Sequence, residues 1–339
     1  MTFNSLILIW FDKYRRKLPW REESDPYKIW LSEIILQQTR VAQGTAYYEQ
    51  FCTSFPHLKD LANASEQEVL KLWQGLGYYS RARNLHYTAQ YIYNNLNGTF
   101  PNNFKELLSL KGVGEYTAAA IASIAFGEAV PAIDGNAFRV YSRFFNIDLD
   151  ISQPKTKSYF FNLGKEIIDT QRPGDFNQAV MELGATICLP KNPNCTSCPL
   201  QHKCEGLAKK RVHLLPVKTK KTKVRNRYFH FFEISDGKSY LIKKRNGKDV
   251  WKNLYNFPLL ETEDESDIKP LFKSILPTKV LEEKHLLSHQ RLFISFWKLK
   301  VNSLELKELS NHFNAEIVSW KELVKLPLPR PMEKYIELK

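Results

Sequence analysis

The stretch SLKGVGEYTAAAIASIAFGEAVPAIDGN, from Ser109 to Asn136, decides how the rest of the chain is interpreted. Its opening residues 110–114 predict a tight hairpin, in which Gly112 and Gly114 let the backbone approach another molecule closely. The alanines and isoleucines that follow predict a helix that ends at Gly127. Because the first N–H groups of a helix have no partner within it, this hairpin–helix junction is a candidate phosphate site.

The same stretch ends on a carboxylate, Asp134, which follows a turn at Pro131 and precedes a helix predicted to begin near Asn136. An aspartate in this position caps the N-terminus of the helix. Since the positive end of the helix dipole favours the ionised form, we expect the pKa of Asp134 to be lowered. One segment therefore offers both an anion cradle and a charged carboxylate.

The bulk composition indicates a soluble globular protein with a polyanionic partner. The 339 residues suffice for two domains, and 43% are hydrophobic and 25% charged. The net charge of +13 indicates a nucleic-acid partner, the alternative being a protein that is merely basic. No apolar run approaches the roughly 20 residues that span a bilayer, and no secretory signal is evident, so we expect a cytoplasmic protein without membrane contact.

A second candidate carboxylate lies in a predicted helix from Tyr27 to Val41, which follows the helix-start signal Asp25-Pro26. Glu33 is surrounded there, at helical spacing, by apolar side chains such as Trp30. Burial raises the pKa of a carboxyl group, which would then hold a proton near neutral pH. The alternative is a solvated glutamate at the edge of the apolar face.

Three segments carry residues that suit contact with nucleic acid. Residues 15–21 place basic side chains around a tryptophan, which suits contact with a DNA strand. The alternative is a basic loop around a packed tryptophan. Residues 37–40 present amide, hydroxyl and guanidinium groups that can fill a gap in a base stack or bind phosphate. The glycine-flanked turn at residues 75–84 holds two tyrosines, which either stack on bases or pack inward.

Four of the five cysteines cluster in the pattern C-x6-C-x2-C-x5-C at Cys188, Cys195, Cys198 and Cys204. In a cytosolic chain this pattern indicates a metal site rather than disulfides. Zinc and an iron–sulfur cluster both accept four thiolates, and the single compact loop fits a cubane cluster better. The fifth, Cys52, is expected to be a core thiol.

The chain changes character after a basic linker. Residues 208–227 contain nine lysines or arginines and no acid. The helical patterns lie before this linker, whereas period-two patterns at residues 228–234, 240–243 and 292–299 predict strands after it. We therefore expect an all-α region over residues 1–207 and an α+β domain over residues 228–339.

These features together resemble the helix-hairpin-helix DNA glycosylases with an iron–sulfur loop, and within them the MutY-type adenine glycosylases. The resemblance covers nearly the whole chain and rests on six motifs in the family's order: LPWR at 18–21, LSEIILQQT at 31–39, GLGYYSRARN at 75–84, VGEYTAAA at 113–120, IDGN at 133–136 and the cysteine loop at 188–204. It implies a multidomain fold, with an all-α helix-hairpin-helix glycosylase core and a C-terminal α+β Nudix-like domain.

The resemblance also implies an activity, which is hydrolysis of the N-glycosidic bond of adenine mispaired with 8-oxoguanine or guanine. Glu33 would be the general acid, and Asp134 would stabilise the oxocarbenium-like sugar, as in two-carboxylate glycoside hydrolysis. Tyr116 and Asn136 would orient this pair. Bifunctional relatives have a lysine where Tyr116 stands, and because tyrosine cannot form a Schiff base we expect little or no lyase activity.

The ligands that the resemblance implies are double-stranded DNA and one 4Fe-4S cluster, bound by a monomer. The cluster would be held by the four clustered cysteines. Lesion recognition would fall to Ser288 and His289 in the Nudix-like domain, which has no G-x5-E-x7-R-E-x-x-E-E box for pyrophosphate chemistry. The expected DNA contacts are Arg21, Leu36, Gln37, Gln38, Thr39, Tyr78, Gly112 and Gly114.

One residue departs from the family pattern. Lys111 stands where proline is usual, and the loss of proline would make the hairpin less rigid.

Three other functions compete with the leading one. A bifunctional pyrimidine-lesion glycosylase is disfavoured by Tyr116, and a catalytically inactive DNA-binding module is disfavoured by the presence of both Glu33 and Asp134. A Nudix hydrolase is disfavoured by the missing box.

Overall fold

The computed structural model describes residues 2–219, 224–264 and 277–338. The chain divides into two compact units: Met1–Asn63 with Asn84–Lys220, and Ala64–Arg83 with Lys221–Lys339. The helical first unit and the sheet of the second confirm the predicted fold class. The sequence did not predict that Ala64–Arg83 would belong to the second unit. The predicted boundaries at 207 and 228 stay a prediction, and residues 220–223 of the linker lie outside the described residues.

The helices that contribute to the first unit are α1 (Phe3–Tyr14), α2 (Pro26–Leu36), α3 (Val41–Ser54), α4 (Leu58–Asn63), α6 (Ser80–Asn95), α7 (Phe104–Leu108), α8 (Glu115–Phe126), α9 (Gly135–Phe144), α10 (Pro154–Ile167), α11 (Pro173–Thr186) and α12 (Glu205–Ala208). Helix α6 begins in the second unit and continues into the first. The second unit also holds α5 (Glu66–Leu72). Among the described residues, no helix is both long and apolar enough to cross a bilayer.

Helix α2 is shorter than predicted: it ends at Leu36 rather than at Val41. Its N-terminus is as expected, since the Asp25 carboxylate accepts a hydrogen bond from Tyr27 N (2.9 Å) and Pro26 occupies the first turn. The chain then leaves the helix at Gln38, whose φ of 58° lies in the left-handed region. Residues 37–40 therefore form a turn that ends before α3 begins.

The hairpin before α8 is held against α6 by three contacts. Gly112 has φ +81°, and a Cβ built on it would lie 2.6 Å from Asn84 Cβ, so only glycine fits there. Thr88 Oγ1 donates to the Lys111 carbonyl (2.7 Å), and Lys111 Nζ lies 4.0 Å from the centre of the Tyr87 ring. Helix α6 thus constrains the hairpin at the position where the family proline is missing. Helix α8 ends as predicted, on left-handed Gly127.

One hydrophobic cluster in the core of the first unit is built from α1, α9, α10 and α11. Phe11, Phe160 and Phe176 are fully buried there, together with Tyr141 of α9. Phe3 packs edge-on against Tyr141, with ring centroids 5.8 Å apart. Close packing of this kind fixes α9, and so fixes the carboxylate at its N-terminus.

The second unit is built on a mixed sheet. Within the described residues its strands are β1 (Arg225–Ser235), β2 (Ser239–Lys244), β3 (Tyr255–Asn256), β4 (Leu259–Thr262), β5 (Thr278–Leu286), β6 (Gln290–Lys300) and β7 (Glu316–Ser319). The main path runs β3-β2-β1-β6-β5, with β4 paired to β1 and β7 to β2. The predicted strands at 228–234, 240–243 and 292–299 lie within β1, β2 and β6. Strand β1 pairs in parallel with β6, so Arg225 lies opposite Gln290.

Three further helices complete the second unit: α13 (Ser303–Phe313), α14 (Trp320–Leu323) and α15 (Arg330–Glu337). Leu306 of α13 packs with Phe232, Ile234 and Leu241 on one face of the sheet. This arrangement gives the unit a hydrophobic core of its own.

Candidate active site

A pocket in the first unit brings together eight of the residues that the sequence singled out. They are Glu33, Leu36, Gln37, Gln38, Gly112, Gly114, Tyr116 and Asp134. An adjoining cavity shares Glu33 and Tyr116 with this pocket, and it adds Arg21, Thr39 and Asn136. Residues as far apart in sequence as Glu33 and Asp134 thus surround one space, because α2, the hairpin and the N-terminus of α9 meet there.

Glu33 is held in this pocket by the phenol of Tyr116. Tyr116 Oη donates to Glu33 Oε2 over 2.7 Å, and it lies 3.1 Å from Met181 Sδ. The pKa of Glu33 is raised to about 7, because burial and, to a smaller extent, the charge of Asp134 raise it, whereas the Tyr116 hydrogen bond and the charge of Arg21 lower it. Burial and the neighbouring Glu33 also raise the pKa of Tyr116, so the phenol stays protonated. The upward shift expected for Glu33 is confirmed.

Asp134 caps α9 as predicted, but the direction expected for its pKa was wrong. Its Oδ1 accepts from Ala137 N (2.7 Å), and its Oδ2 accepts from Asn136 Nδ2 (2.7 Å). Burial nevertheless raises the pKa of Asp134 above its ordinary value, and these hydrogen bonds offset only part of the rise. The helix dipole is a modest effect, whereas removing the carboxylate from water is a large one, which sequence alone does not reveal.

A hydrogen-bonded chain leads from Asp134 to the cysteine loop. Arg139 Nη2 donates to Asn136 Oδ1 (2.7 Å) and to the Gly184 carbonyl (2.8 Å), while Arg139 Nε donates to the Cys188 carbonyl (2.6 Å). Gly184 allows this approach, because a Cβ there would lie 2.5 Å from Asn136 Cβ. The Arg139 guanidinium therefore links Asn136, the hydrogen-bond partner of Asp134, to Cys188 at the start of the cysteine loop.

Two of the residues expected to contact DNA, Gln38 and Tyr78, share an unusual backbone conformation. Gln38 and Tyr78 have φ values of 58° and 46°, which non-glycine residues seldom adopt outside functional or tightly constrained turns. Gln38 belongs to the pocket, whereas Tyr78 belongs to the second unit. The sequence left open whether both tyrosines of this turn face outward. Tyr78 is 46% exposed, whereas Tyr79 is 6% exposed and packs inward.

Arg21 has a protein partner that the sequence did not predict. Its side chain is only 9% exposed, and its Nη2 lies 2.6 Å from Glu182 Oε2. Arg16 Nε binds the other oxygen of the same carboxylate, also at 2.6 Å. Burial opposes ionisation of Glu182, but the two arginines lower its pKa. Arg21 therefore lies beside the pocket as part of an ion cluster, and direct contact with DNA stays a prediction.

The four cysteines of the loop line one cavity. Cys188, Cys195, Cys198 and Cys204 share it, and the guanidinium of Arg143 lies 3.3 Å from Cys188 Sγ. Burial and the nearness of the other thiols raise the pKa of Cys198 to about 12. Within the described ranges, no three His, Cys, Asp or Glu side chains are placed closely enough to hold a metal ion. The donor set still suits a thiolate-bound cluster, because four cysteines line one cavity beside the buried Arg143.

The Ser288–His289 turn lies in the second unit, where both residues are exposed. Ser288 Oγ and His289 Nδ1 are 3.1 Å apart. The turn is closed by a hydrogen bond from Leu287 N to the Gln290 carbonyl (2.9 Å) and tied to β1 by one from Arg225 N to the His289 carbonyl (3.1 Å). The structure thus presents this pair on a short, anchored turn. A role in lesion recognition stays a prediction.

Several functional neighbours were missed from the sequence. Lys157 and Phe161 of α10 line the pocket, and Thr117 Oγ1 accepts from Gln37 Nε2 (3.2 Å). Helix α10 is amphipathic, and nothing in its pattern marks the face that meets the pocket. Met181 and Glu182 of α11 line the adjoining cavity. The only sequence signal for Met181 was its position in the predicted helix.

Comparison with known families agrees with this geometry. A family model described as HhH-GPD superfamily base excision DNA repair protein matches residues 31–166. A NUDIX domain model matches residues 230–338. The first of these contains Glu33, Tyr116 and Asp134, and the second contains the Ser288–His289 turn.

Relatives and solved structures give the same result. An adenine DNA glycosylase from Buchnera aphidicola subsp. Schizaphis graminum is 34% identical and aligns over 99% of this chain and 98% of its own length. The human adenine DNA glycosylase is 44% identical over 60% of this chain and 39% of its own length.

Among solved structures, a thermostable thymine-DNA glycosylase has 31% identity and a TM-score of 0.57, covering 61% of this chain and 95% of its own. An endonuclease III–DNA complex, at 22% identity and a TM-score of 0.52, shares the fold over 61% of this chain and 94% of its own.

Proposed function

The chain belongs to the adenine DNA glycosylases of the HhH-GPD superfamily, which are base excision repair enzymes, and we propose that it removes adenine paired with 8-oxoguanine or guanine in double-stranded DNA. The observation that carries this proposal is Glu33, whose pKa of about 7 lets it hold a proton at working pH. A second carboxylate, Asp134, lines the same pocket. Two carboxyl groups in different environments suit acid-assisted cleavage of a glycosidic bond.

In the proposed mechanism, the adenine leaves the base stack and enters the pocket, because its glycosidic bond cannot be reached within a duplex. Glu33 donates its proton to a ring nitrogen, so the base departs as a neutral molecule. Because Glu33 Oε2 accepts from Tyr116, the transferable proton is assigned to Oε1. Departure of the base leaves positive charge on the sugar.

Asp134 then stabilises the oxocarbenium-like sugar as the glycosidic bond breaks. The hydrogen bonds from Ala137 N and Asn136 Nδ2 favour its ionised form, which this role requires. Tyr116 orients Glu33, and Asn136 orients Asp134 while Arg139 holds Asn136. Water then forms a bond to the sugar carbon, and the proton that it loses passes to the Glu33 carboxylate, which restores the acid.

The DNA would be held by the segments that border the pocket. Gly112 and Gly114 offer backbone N–H groups to a phosphate beside the extruded nucleotide. Gln38 and Tyr78 would enter the stack at the mispair, which the left-handed turns that carry them support. The remaining proposed contacts are Arg21, Leu36, Gln37 and Thr39. Lesion recognition is assigned to Ser288 and His289, and the enzyme is proposed to act as a cytoplasmic monomer.

We further propose that Cys188, Cys195, Cys198 and Cys204 hold one 4Fe-4S cluster, which their common cavity supports. When bound, the cluster supplies a covalent tie that fixes the loop following α11. Arg143 would help to hold this loop, since Nη1 donates to the Leu189 carbonyl (2.7 Å) and Nε to the Leu215 carbonyl (3.0 Å). None of the chemical steps above depends on the cluster.

The proposal is tested by single-turnover excision on a duplex with one 8-oxoguanine·adenine pair, analysed with and without alkali. Strand cleavage only after alkali is the expected result, since alkali breaks the strand at an abasic site. Glu33→Gln should lower the rate by about 10²–10⁴-fold while DNA affinity stays near wild type. Glu49→Gln provides the matched control, because Glu49 is exposed on α3 and does not line the pocket. No product from the wild-type enzyme would refute the function.

A further inference from the structure

The second unit contains two of the segments that are proposed to probe the mispair. Tyr78 lies in Ala64–Arg83, and the Ser288–His289 turn lies between β5 and β6. These segments are more than 200 residues apart in sequence. Their membership in one compact unit raises the question of what connects them.

Residues 249–253, here called the bracket, contact the Tyr78-bearing segment through its last two residues. Asn253 Nδ2 donates to Glu66 Oε1 of α5 over 2.6 Å. Arg83 Nη1 donates to the Lys252 carbonyl over 2.9 Å. These two contacts lie on either side of Tyr78 in the sequence, so the bracket holds both ends of the segment that contains the Tyr78 turn.

The opposite end of the bracket reaches the strands beside the Ser288–His289 turn. The ring of Trp251 lies 5.8 Å from that of His285, which is three residues before Ser288. Arg227 Nη1 binds both Asp249 Oδ1 (2.7 Å) and Gln290 Oε1 (3.1 Å). The lesion turn is therefore connected to the bracket on both of its sides.

The bracket itself is a constrained piece of backbone. Trp251 and Asn253 have φ values of 61° and 67°, a conformation that surrounding contacts must maintain in residues other than glycine. Trp251 is 8% exposed, and Asn253 N donates to the Arg245 carbonyl (2.7 Å). A short segment fixed in this way can transmit the position of one turn to the other.

We infer that the bracket sets the spacing between the Tyr78 turn and the Ser288–His289 turn, with Glu66 and Asn253 as positioning residues for lesion discrimination. The inference rests on the proposed function, because it places Tyr78 and the Ser288–His289 turn in one unit that recognises the mispair. Neither Glu66 nor Asn253 needs to touch DNA. The hydrogen bond between Asn253 and Glu66 acts only by positioning the Tyr78 turn and the Ser288–His289 turn for the same mispair.

The test is the ratio of single-turnover excision rates on 8-oxoguanine·adenine and guanine·adenine duplexes of the same sequence. Glu66→Ala removes the acceptor, whereas Glu66→Gln keeps an oxygen at that position. Asn253→Gly removes the donor, and glycine tolerates the φ of +67°. Each of the two deleting variants should lower the ratio by about 3–10-fold, which is less than the full effect of one lost hydrogen bond to a charged group because the contact acts only through the position of the turns.

The double variant Glu66→Ala/Asn253→Gly should lower the ratio no further than either single variant, since both remove the same contact. Glu66→Gln and the control Gln67→Ala, on the exposed side of the same helix, should keep the wild-type ratio. Tyr78 and the lesion turn remain intact in all these proteins. An equal fall in both rates would indicate a purely structural contact and overturn the inference.

Other outcomes are equally decisive. If the wild-type enzyme discriminates but both deleting variants keep its ratio, the bracket does not couple the turns. If both variants lose cooperative thermal unfolding, the contact serves the fold and the inference is also overturned. A wild-type enzyme that removes no adenine contradicts the proposed function instead, so the two failures are distinguishable.

Discussion

The phenol of Tyr116 donates a hydrogen bond to Glu33 Oε2 over 2.7 Å, which ties the proposed general acid to the helix that follows the hairpin. This bond stabilises the ionised carboxylate and so limits how far burial raises the pKa of Glu33. Tyr116→Phe should therefore shift the alkaline limb of the excision rate to higher pH. The wild-type rate should fall as pH rises through about 7, because Glu33 must be protonated.

The measurement is a single-turnover pH profile of both proteins on the same duplex. A rate that rises through pH 7 in the wild type would contradict the role of Glu33 as an acid. An unchanged alkaline limb in Tyr116→Phe, with a fall in rate at every pH, would mean that the phenol serves geometry alone.

Glu33 should also make stability depend on pH. Its pKa is about 7 in the folded protein and 4.5 as the ordinary value, so its stabilising effect is complete below 4.5 and is lost as pH rises through 7. Glu33→Gln has no such loss, so its free energy of unfolding should rise relative to that of the wild type by about 2.5 kcal/mol between pH 5 and pH 8. Denaturant unfolding at the two pH values checks this, with Glu49→Gln expected to show no such gain.

Arg139 should matter for catalysis although it lies beyond Asp134. Arg139→Met removes its hydrogen bonds to Asn136 Oδ1 and to the Cys188 carbonyl, so Asn136 is no longer held in place. The excision rate should fall about 10–100-fold, as expected for one or two charge-assisted hydrogen bonds. Arg139→Lys should rescue little, because an ammonium cannot bridge these acceptors as a guanidinium does. A wild-type rate in Arg139→Met would show that Asn136 needs no support.

The proposed lack of lyase activity can be tested by trapping a covalent adduct between the enzyme and DNA. The wild-type enzyme should give no adduct on borohydride treatment, because Tyr116 provides no amine. Tyr116→Lys places an amine beside Glu33 and should yield a trapped protein–DNA adduct. If the wild type itself is trapped, Lys157→Met identifies whether Lys157 is responsible, since it lies in the pocket lining. Such an adduct would contradict the monofunctional proposal.

The cysteine loop predicts a coloured protein. The purified enzyme should be brown and contain about four irons per chain, as a 4Fe-4S cluster requires. Arg143→Met should lower the iron content, because Arg143 contacts Cys188 Sγ and the Leu189 carbonyl. A colourless protein with stoichiometric zinc would refute the cluster, and full iron loading in Arg143→Met would refute the role of Arg143.

Much of the local structure was predictable from local signals. The caps at Asp25 and Asp134, the end of α8 at Gly127 and the period-two strands were all confirmed. The end of α2 was not, because apolar periodicity continued past the turn at Gln38. The family motifs predicted the pocket residues, although composition and spacing alone could not have ranked them.

The sequence by itself determined which carboxylates, glycines and cysteines the chain offers and which short segments carry them, since helix caps, tight turns and strand periodicity depend on neighbours in the chain. Only the tertiary structure decided how those groups behave. The pKa of Asp134 rises because distant helices exclude water from it, and Arg21 turns to Glu182 because α11 passes beside it. The grouping of Ala64–Arg83 with the sheet unit is decided in the same way, because burial and side-chain contacts depend on residues far apart in the sequence.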